Sequence, residues 1–461
     1  MKHQAYILIS LISLSFLASC AKEPVPSVRQ QGSRDASYAI SMADIQEYLS
    51  GYKNIPPTKS ADVRVEPILS KGDTVSYLIN YDEGWELLSA DRRAPRVFAQ
   101  CDKGNTTIEQ LIGDNPVLGA IYKNYVGNMR LLKANPQLEI ENEYQDSWND
   151  VLIPDRALGW ELYDTMVFSR DSIQNHLTQT RWGQEFPWNC RMPYKDSTLT
   201  LLCRAGCTPV AAAQMLYYLH QTLNKPEKAY GNGSTTAYIP GGATSVYLDD
   251  TNVSFDPTTY SSSTWDGMSL TSLGTGSFIS VSTLLLELGY YMHSRYTRTV
   301  TSTVSEEMYD AFRREYSIDM STMEYYMPGG IDYGVIAHQI RHESQPVILN
   351  ISFVDPDTGY VGHSVIADAC KDHYQYSRLF YRRRIETPNN DPMAIPYEYM
   401  FVNTPEEFSR YLGINWGWDG AGMTDNGSTI WFNTEVIDWS AGGYTFTRVD
   451  DVYYNFRELT N

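Results

Sequence analysis

The sequence predicts an α+β fold, and three observations carry that prediction. A small-residue apolar run, Ala211-Ala212-Ala213 with Met215 and Leu216, lies inside one helical stretch from Thr208 to His220. Strand patterns dominate only later, between Gln345 and Phe432. A separate hairpin pattern, Val75 to Tyr81 and Trp85 to Ala90, precedes both. A buried helix followed by a late run of antiparallel strands is the segregated order of α+β proteins.

In chain order, Met42 to Leu49 reads as a helix that Ser41 can cap. Pro56-Pro57 then breaks the chain. Val75-Ser76-Tyr77-Leu78-Ile79-Asn80-Tyr81 alternates as a strand, Asp82-Glu83-Gly84 turns, and Trp85 to Ala90 returns. Arg96 to Gln100 supplies a third strand, and Val117 to Leu132 a helix. From about Asn135 to Asp155 the chain is acidic, polar and without period, which marks a boundary between two modules. In the second module Pro209 suits the first turn of its helix, where a missing N–H does no harm. The small apolar composition there predicts a helix threaded through a core rather than laid on a surface. A Gly/Ser/Thr-rich, loop-heavy stretch runs from about Gly231 to Gly276. Ile279 to Tyr291 and Ser305 to Tyr316 read as helices. Gln345 to Ile351, Ser364 to Ala367, Leu412 to Asn415 and Thr429 to Phe432 read as strands.

At 461 residues the chain has room for two to four domains, and 42% hydrophobic residues allow a sizeable core. The net charge of −19 argues against nucleic acid as a partner, because phosphate binding needs a basic face. The one basic run, Arg382-Arg383-Arg384, reads as a solvated loop. Aromatic residues make up 13% of the chain, which suits grooves for polymers or peptides and suits plain packing equally. At the start, Lys2 and His3 precede an apolar run from Ala5 to Leu17 that is short for a membrane span. It ends in Leu17-Ala18-Ser19-Cys20, which resembles the bacterial lipobox, so residues 1–20 are expected to be a lipoprotein signal with Cys20 lipidated. An ordinary cleaved signal is the alternative. Residues 21–36 then read as a tether, and no later apolar run is long enough to span a bilayer. This predicts a protein of the bacterial cell envelope, on the outer membrane or cell surface, that meets the membrane through its lipid only.

Three short segments carry chemistry: Arg204-Ala205-Gly206-Cys207, Gly362-His363-Ser364 and Asn415-Trp416-Gly417-Trp418. A thiol becomes a useful nucleophile as a thiolate, and a helix N-terminus or a neighbouring imidazolium lowers its pKa. Cys207 stands where the helix begins, and Gly206 clears space for a substrate backbone. His363, at the start of a strand between two small residues, is the candidate general base. The other histidines lie on polar or helical stretches without that context. Asn415 could accept the imidazole N–H, and Trp416 could shield that bond from water. Gln184 is a candidate oxyanion donor. Each has a plain alternative: a buried cysteine, a core histidine, a turn with packed rings, a surface glutamine. Among six cysteines, Cys190 and Cys203 could close a short disulfide in an exported protein. A zinc site from Cys190, Cys203, Cys207 and His220 is the rival, with spacings that fit no common finger.

At these residues the sequence resembles the streptopain family of papain-like cysteine peptidases. Trp182-Gly183-Gln184 with Phe186-Pro187-Trp188-Asn189 is similar to that family's opening motif. Gly206-Cys207 with Ala213-Gln214-Met215 resembles its nucleophile helix. Gln345-Pro346-Val347 leading to Gly362-His363-Ser364 resembles its histidine strand, and Asn415-Trp416-Gly417-Trp418 its late NWGW motif. Gly442-Gly443-Tyr444 is a weaker match to its closing loop. Tyr77 to Tyr81 and Ser89 to Pro95 look like its inhibitory propeptide. The resemblance implies a papain-like two-lobed domain, residues 151–461, with a helical lobe holding the nucleophile helix and an antiparallel β lobe. A small α+β propeptide domain, residues 37–150, would precede it and inhibit it in the precursor. It implies a cysteine endopeptidase acting on protein or peptide substrates, with no metal or organic cofactor. Cys207 would be the nucleophile, His363 the acid/base, Asn415 the orienter and Trp416 the shield, with Gln184 and the Cys207 N–H lining the oxyanion hole. Three departures stand out: Cys370 after the histidine strand, an apparent insertion from about His373 to Arg410, and Arg295 to Thr301 in place of a Gly/Ser-rich segment. A non-catalytic peptide- or host-protein-binding surface lipoprotein and a papain-fold amidase remain the other classes. The four intact site residues argue against the first, and the inhibitory-type module against the second.

Overall fold

The computed structural model describes residues 38–49, 63–113, 116–136, 138, 148, 160–228, 232–255, 262–324, 331–355, 359–384, 397–403, 407–418, 428–437, 439–441 and 444–459. The expected signal, Cys20, the expected tether, Pro56-Pro57, the expected boundary at 150 and Gly442-Gly443 lie outside them. Residues from Tyr38 onward form one compact unit.

The amino-terminal module follows the sequence closely. Helix α1 (Met42–Glu47) is capped by Ser41, whose hydroxyl accepts from Asp44 N–H while Asp44 accepts from Ser41 N–H. Strands β1 (Arg64–Ser70), β2 (Asp73–Asn80), β3 (Trp85–Ser89) and β4 (Val97–Cys101) form an antiparallel meander, of which β1 carried no clear pattern. Helices α2 (Ile108–Gly113) and α3 (Pro116–Ala134) follow. Arg93, buried, binds Asp91 and donates to the carbonyls of Leu132, Asn135 and Leu138. Those are carbonyls at and beyond the end of α3, so one guanidinium pins that helix to the hairpin.

The helical lobe is built on α4 (Cys207–Leu223), α5 (Phe278–Tyr291) and α6 (Glu306–Tyr316). As composition predicts, α4 runs through the core: Thr208 to Leu216 are buried without a break. Its neighbours there include Trp182, Trp188, Leu285, Leu288 and Phe312. Within the loop-heavy stretch, Gly233–Thr235 pairs with Val253–Phe255, and Ser245–Tyr247 pairs with Arg295–Thr297.

The β lobe comprises β5 (Trp160–Gln174), β6 (Ile318–Glu324), β7 (Val347–Asp355), β8 (Gly359–Arg384), β9 (Tyr397–Asn403), β10 (Glu407–Asn415), β11 (Trp431–Asn433), β12 (Trp439–Ala441) and β13 (Tyr444–Glu458). Helix α7 (Tyr333–Arg341) precedes β7. These strands and the amino-terminal meander make a single 13-stranded sheet, ordered β1-β2-β3-β4-β11-β10-β8-β7-β13-β6, with β5 and β9 on β8 and β12 on β13. The joint is the pairing of Trp431 and Phe432 with Gln100 and Ala99.

Two expectations are corrected here, the basic run as a loop and the possible disulfide. The apparent insertion is sheet where it is described: β8 continues to Arg384, with β9 and β5 paired along it. The basic run is its strand end rather than a loop, since Arg382 binds Glu161 and Arg383 binds Glu398 across the strands. Polar residues such as Gln375 and Ser377 occupy the buried face of β8, so hydropathy alternation is muted although period-2 order is present. The disulfide does not form. Cys190 and Cys203 are separate thiols, Cys203 lying fully buried in the helical-lobe core.

Candidate active site

Helix α4 delivers Cys207 at its first turn because Gly206 adopts φ +100°. That is left-handed territory, and a Cβ there would press on Thr301 Cγ2 at 3.1 Å. The approach to the helix is fastened from both sides. Ala205 N–H donates to the Gln184 carbonyl (2.9 Å), Asn189 donates to the Cys203 carbonyl (3.0 Å), and Thr301 Oγ1 donates to the Arg204 carbonyl (2.6 Å). Gln184 is thereby held, buried, beside the segment that carries the thiol.

The β lobe supplies the imidazole. His363 on β8 stands opposite Ile351 of β7, and its ring is near enough to the Cys207 sulfur for imidazolium and thiolate to stabilise each other. Its Nε2 lies 3.0 Å from the Trp416 carbonyl. A carbonyl only accepts, so Nε2 carries a proton and Nδ1 is the nitrogen left for sulfur. Burial pushes the Cys207 thiol up, but the imidazolium, the Ser364 N–H and the Thr208 hydroxyl together bring it down to about 7. Burial lowers the His363 pKa, and the facing thiolate and the Trp416 carbonyl outweigh it, so it is raised. Four residues upstream, burial without such partners drives Cys203 the other way, to about 11. Position on the fold, not residue type, separates the nucleophile from the inert thiol.

One expected contact is replaced. Asn415 was expected to accept the imidazole N–H, and the Trp416 carbonyl takes that place. The Asn415 carboxamide is spent elsewhere: Nδ2 donates to the Thr180 carbonyl and to Gln214 Oε1 (both 2.8 Å), and Oδ1 accepts Gly417 N–H (3.1 Å). Trp416 is buried, its ring edge-on to Phe432, and it packs in the sheet-lobe core.

Residues the motifs did not single out complete the surroundings. Thr208 Oγ1 lies 4.0 Å from the Cys207 sulfur and 2.9 Å from Ser364 Oγ, and Ser364 donates to Asn350 (2.6 Å). Thr208 and Ser364 directly follow Cys207 and His363, the only signal that could have flagged them. Arg204, three residues before Cys207, binds Glu185 (2.8 Å) and lies over the Trp418 ring. A second close pair is His176 with Asp368 (2.6 Å), whose carboxylate also accepts from Thr178. Among the described residues no group of three His, Cys, Asp or Glu side chains is placed to hold a metal ion.

A helix-borne thiol and a strand-borne imidazole facing each other across two lobes is the arrangement of a cysteine peptidase. The family model for peptidase C10 matches residues 182–425, more than half of the chain. The chain belongs to the peptidase C10 family. The matched span of this C10 peptidase contains Gln184, Cys207, His363, Asn415 and Trp416. Among solved structures it is similar to a cysteine-to-alanine mutant of a prointerpain A fragment from Prevotella intermedia. That similarity is 15% identity over 87% of this chain and 99% of the other, with a TM-score of 0.48. It is also similar to the active interpain A cysteine protease of the same organism, at 16% identity over 63% and 96% of the two chains, with a TM-score of 0.38. No curated protein matches the chain by sequence. As a C10 peptidase it is a cysteine-type endopeptidase.

Proposed function

We propose that this C10 peptidase cleaves proteins through an acyl-enzyme on Cys207, and that it is made as a precursor restrained by its own amino-terminal module. The observation that carries the first part is the Cys207 thiol, brought down to about 7 at a helix N-terminus against His363. The thiolate attacks the substrate carbonyl. The oxyanion forms beside the Cys207 N–H and the Gln184 carboxamide. His363 gives its Nδ1 proton to the leaving amine, then takes one from water to release the acid. Through both steps Nε2–H stays on the Trp416 carbonyl, which keeps the ring in one orientation.

The restraint is supported by the meander joining the sheet at β11 and by α3 packing in the same core as Trp416. With that module docked, the His363 imidazolium already helps to lower the Cys207 thiol. Inhibition would therefore act on access of the polypeptide substrate rather than on the dyad. Cys20 would tether the protein by lipid to the bacterial envelope, at the outer membrane or cell surface.

Incubating precursor and processed protein with iodoacetamide and with casein tests this. The reading expects Cys207 labelled in both and casein cut only by the processed form. Labelling with no protein cleaved moves weight to an amidase, and no labelling to a binding lipoprotein. Loss of membrane retention in Cys20→Ser tests the tether.

A further inference from the structure

Gln214 lies seven residues after Cys207 on α4, about two helical turns along the same face, and is fully buried. Its Oε1 accepts two hydrogen bonds, from Thr180 Oγ1 (3.0 Å) and from Asn415 Nδ2 (2.8 Å). Its own Nε2 is buried with no partner among the described residues. A buried unpaired donor is costly, so the position is kept for its acceptor oxygen and not for the amide as a whole.

That oxygen is linked to the catalytic ring through three hydrogen bonds in series: Asn415 to Gln214, Gly417 to Asn415, and His363 to the Trp416 carbonyl. Asn415 Oδ1 accepts Gly417 N–H, which closes a side-chain-capped turn over Trp416. Gly417 takes φ +65° against Val210 of α4, where a Cβ would meet Val210 Cγ1 at 3.1 Å. Trp416 is thus fixed on both sides, and the direction of its carbonyl, the partner of His363 Nε2, is fixed with it.

We infer that Gln214 is a positioning residue: it clamps the Asn415-Trp416-Gly417 turn of the β lobe onto the helix that carries Cys207, and so aims the carbonyl that holds His363. The inference rests on the peptidase reading of the dyad. Substrate touches neither Gln214 nor Thr180 in this account; both act through Asn415. A hydrocarbon at 214 strands two buried donors, whereas a carboxyl group offers the same acceptor geometry.

The test uses the full chain and its processed form, as wild type, Gln214→Met, Gln214→Glu, Asn415→Ala and the Met/Ala double variant. Two quantities are read: kcat and KM on a peptide substrate, and the pH dependence of iodoacetamide alkylation at Cys207. Gln214→Met is expected to lower kcat on the order of ten- to a hundred-fold, as supporting-residue losses do, with KM little changed. Its alkylation profile should move to higher pH, because an imidazolium without its fixed partner stabilises the thiolate less. Among the described residues, Cys207 is the ionisable group that shifts His363. Gln214→Glu should recover most of kcat, and the double variant should lose no more than the worse single one. If Gln214→Met fails to fold, Thr180→Val carries the same readouts, because it removes one of the donors the oxygen holds. Folded Gln214→Met or Thr180→Val with wild-type kcat and an unmoved profile overturns the inference, as do additive losses in the double variant. A wild-type Cys207 that alkylates like an ordinary thiol overturns the peptidase reading instead, so the two failures are told apart.

Discussion

The two lobes bury their apolar residues differently. The helical lobe keeps a core of its own: Trp182, Met215, Leu285 and Phe312 belong to one cluster, to which the sheet adds Ile318, Met320, Ile348, Ile366, Tyr453 and Phe456. The β lobe shares its core with the amino-terminal module, so that Leu78, Phe98, Tyr125 and Met129 pack with Val347, Val365, Leu412 and Trp416. A third cluster repeats that sharing, with Ile79 and Val97 against Ala369, Tyr411 and Trp431. The nucleophile therefore belongs to the self-sufficient half, and the imidazole with its carbonyl partner to the half that the module completes. Removing the module would leave the first half as it stands and strip apolar cover from the second.

The seam between the halves gives the largest expected effect. Cys207→Ala and His363→Ala should each reduce kcat by several orders of magnitude, and the double variant should be no worse than either, because the two groups act as one unit. Single-turnover and steady-state assays read this, and independent, multiplying losses would break the pairing. Next come the cores. Leu285→Ala and Leu78→Ala should each cost the precursor about 2–5 kcal/mol in thermal or denaturant unfolding. After processing, only Leu285→Ala should still destabilise, since Leu78 leaves with the module. A processed enzyme that still feels Leu78→Ala would mean the module stays bound.

A smaller effect is expected where charges cross the joint. The buried Lys371 ammonium on β8 reaches Asp102 of the module (2.8 Å) and Asp171 of β5 (3.5 Å). Both carboxylates are partly solvated, so Lys371→Met should weaken docking by only about 1–2 kcal/mol, read as faster limited proteolysis of the module. The His373 imidazole, against burial, holds the Asp171 carboxyl below its usual range. Its contribution is therefore present at neutral pH and lost only as pH falls through that lowered value.

The smallest effect tests the site itself. Activity should rise through pH about 7 as the Cys207 thiolate forms, and fall when His363, raised above its ordinary value, loses its proton. Thr208→Val removes one of the groups that lower the thiol, so the rising limb should shift to higher pH by less than about one unit. At pH 7 an alkylating agent should leave Cys203, held near 11, untouched.

Much of this was legible because it is local. The meander of β2, β3 and β4 alternates plainly, Ser41 sits one residue ahead of its helix, and Thr208 to Leu216 has the composition of a threaded helix. Strand β5 was not legible, because its partner is the far half of β8, about 200 residues away, and neither strand shows apolar alternation on its own. The same holds for β13, which becomes a strand by filling the place between β7 and β6.

The sequence alone determined the reacting groups: a cysteine preceded by glycine at a helix start, and a histidine between small residues on a strand, are local patterns with local consequences. Which oxygen His363 would use was decided only by the tertiary structure. The Asn415 carboxamide and the Trp416 carbonyl are neighbours in the chain, and either could accept the bond. The choice turned on the direction of one peptide plane, which Gln214 and Val210 hold from a helix some 200 residues away in sequence. A hydrogen bond depends on angle as well as distance, and no one-dimensional pattern records an angle set by so remote a contact.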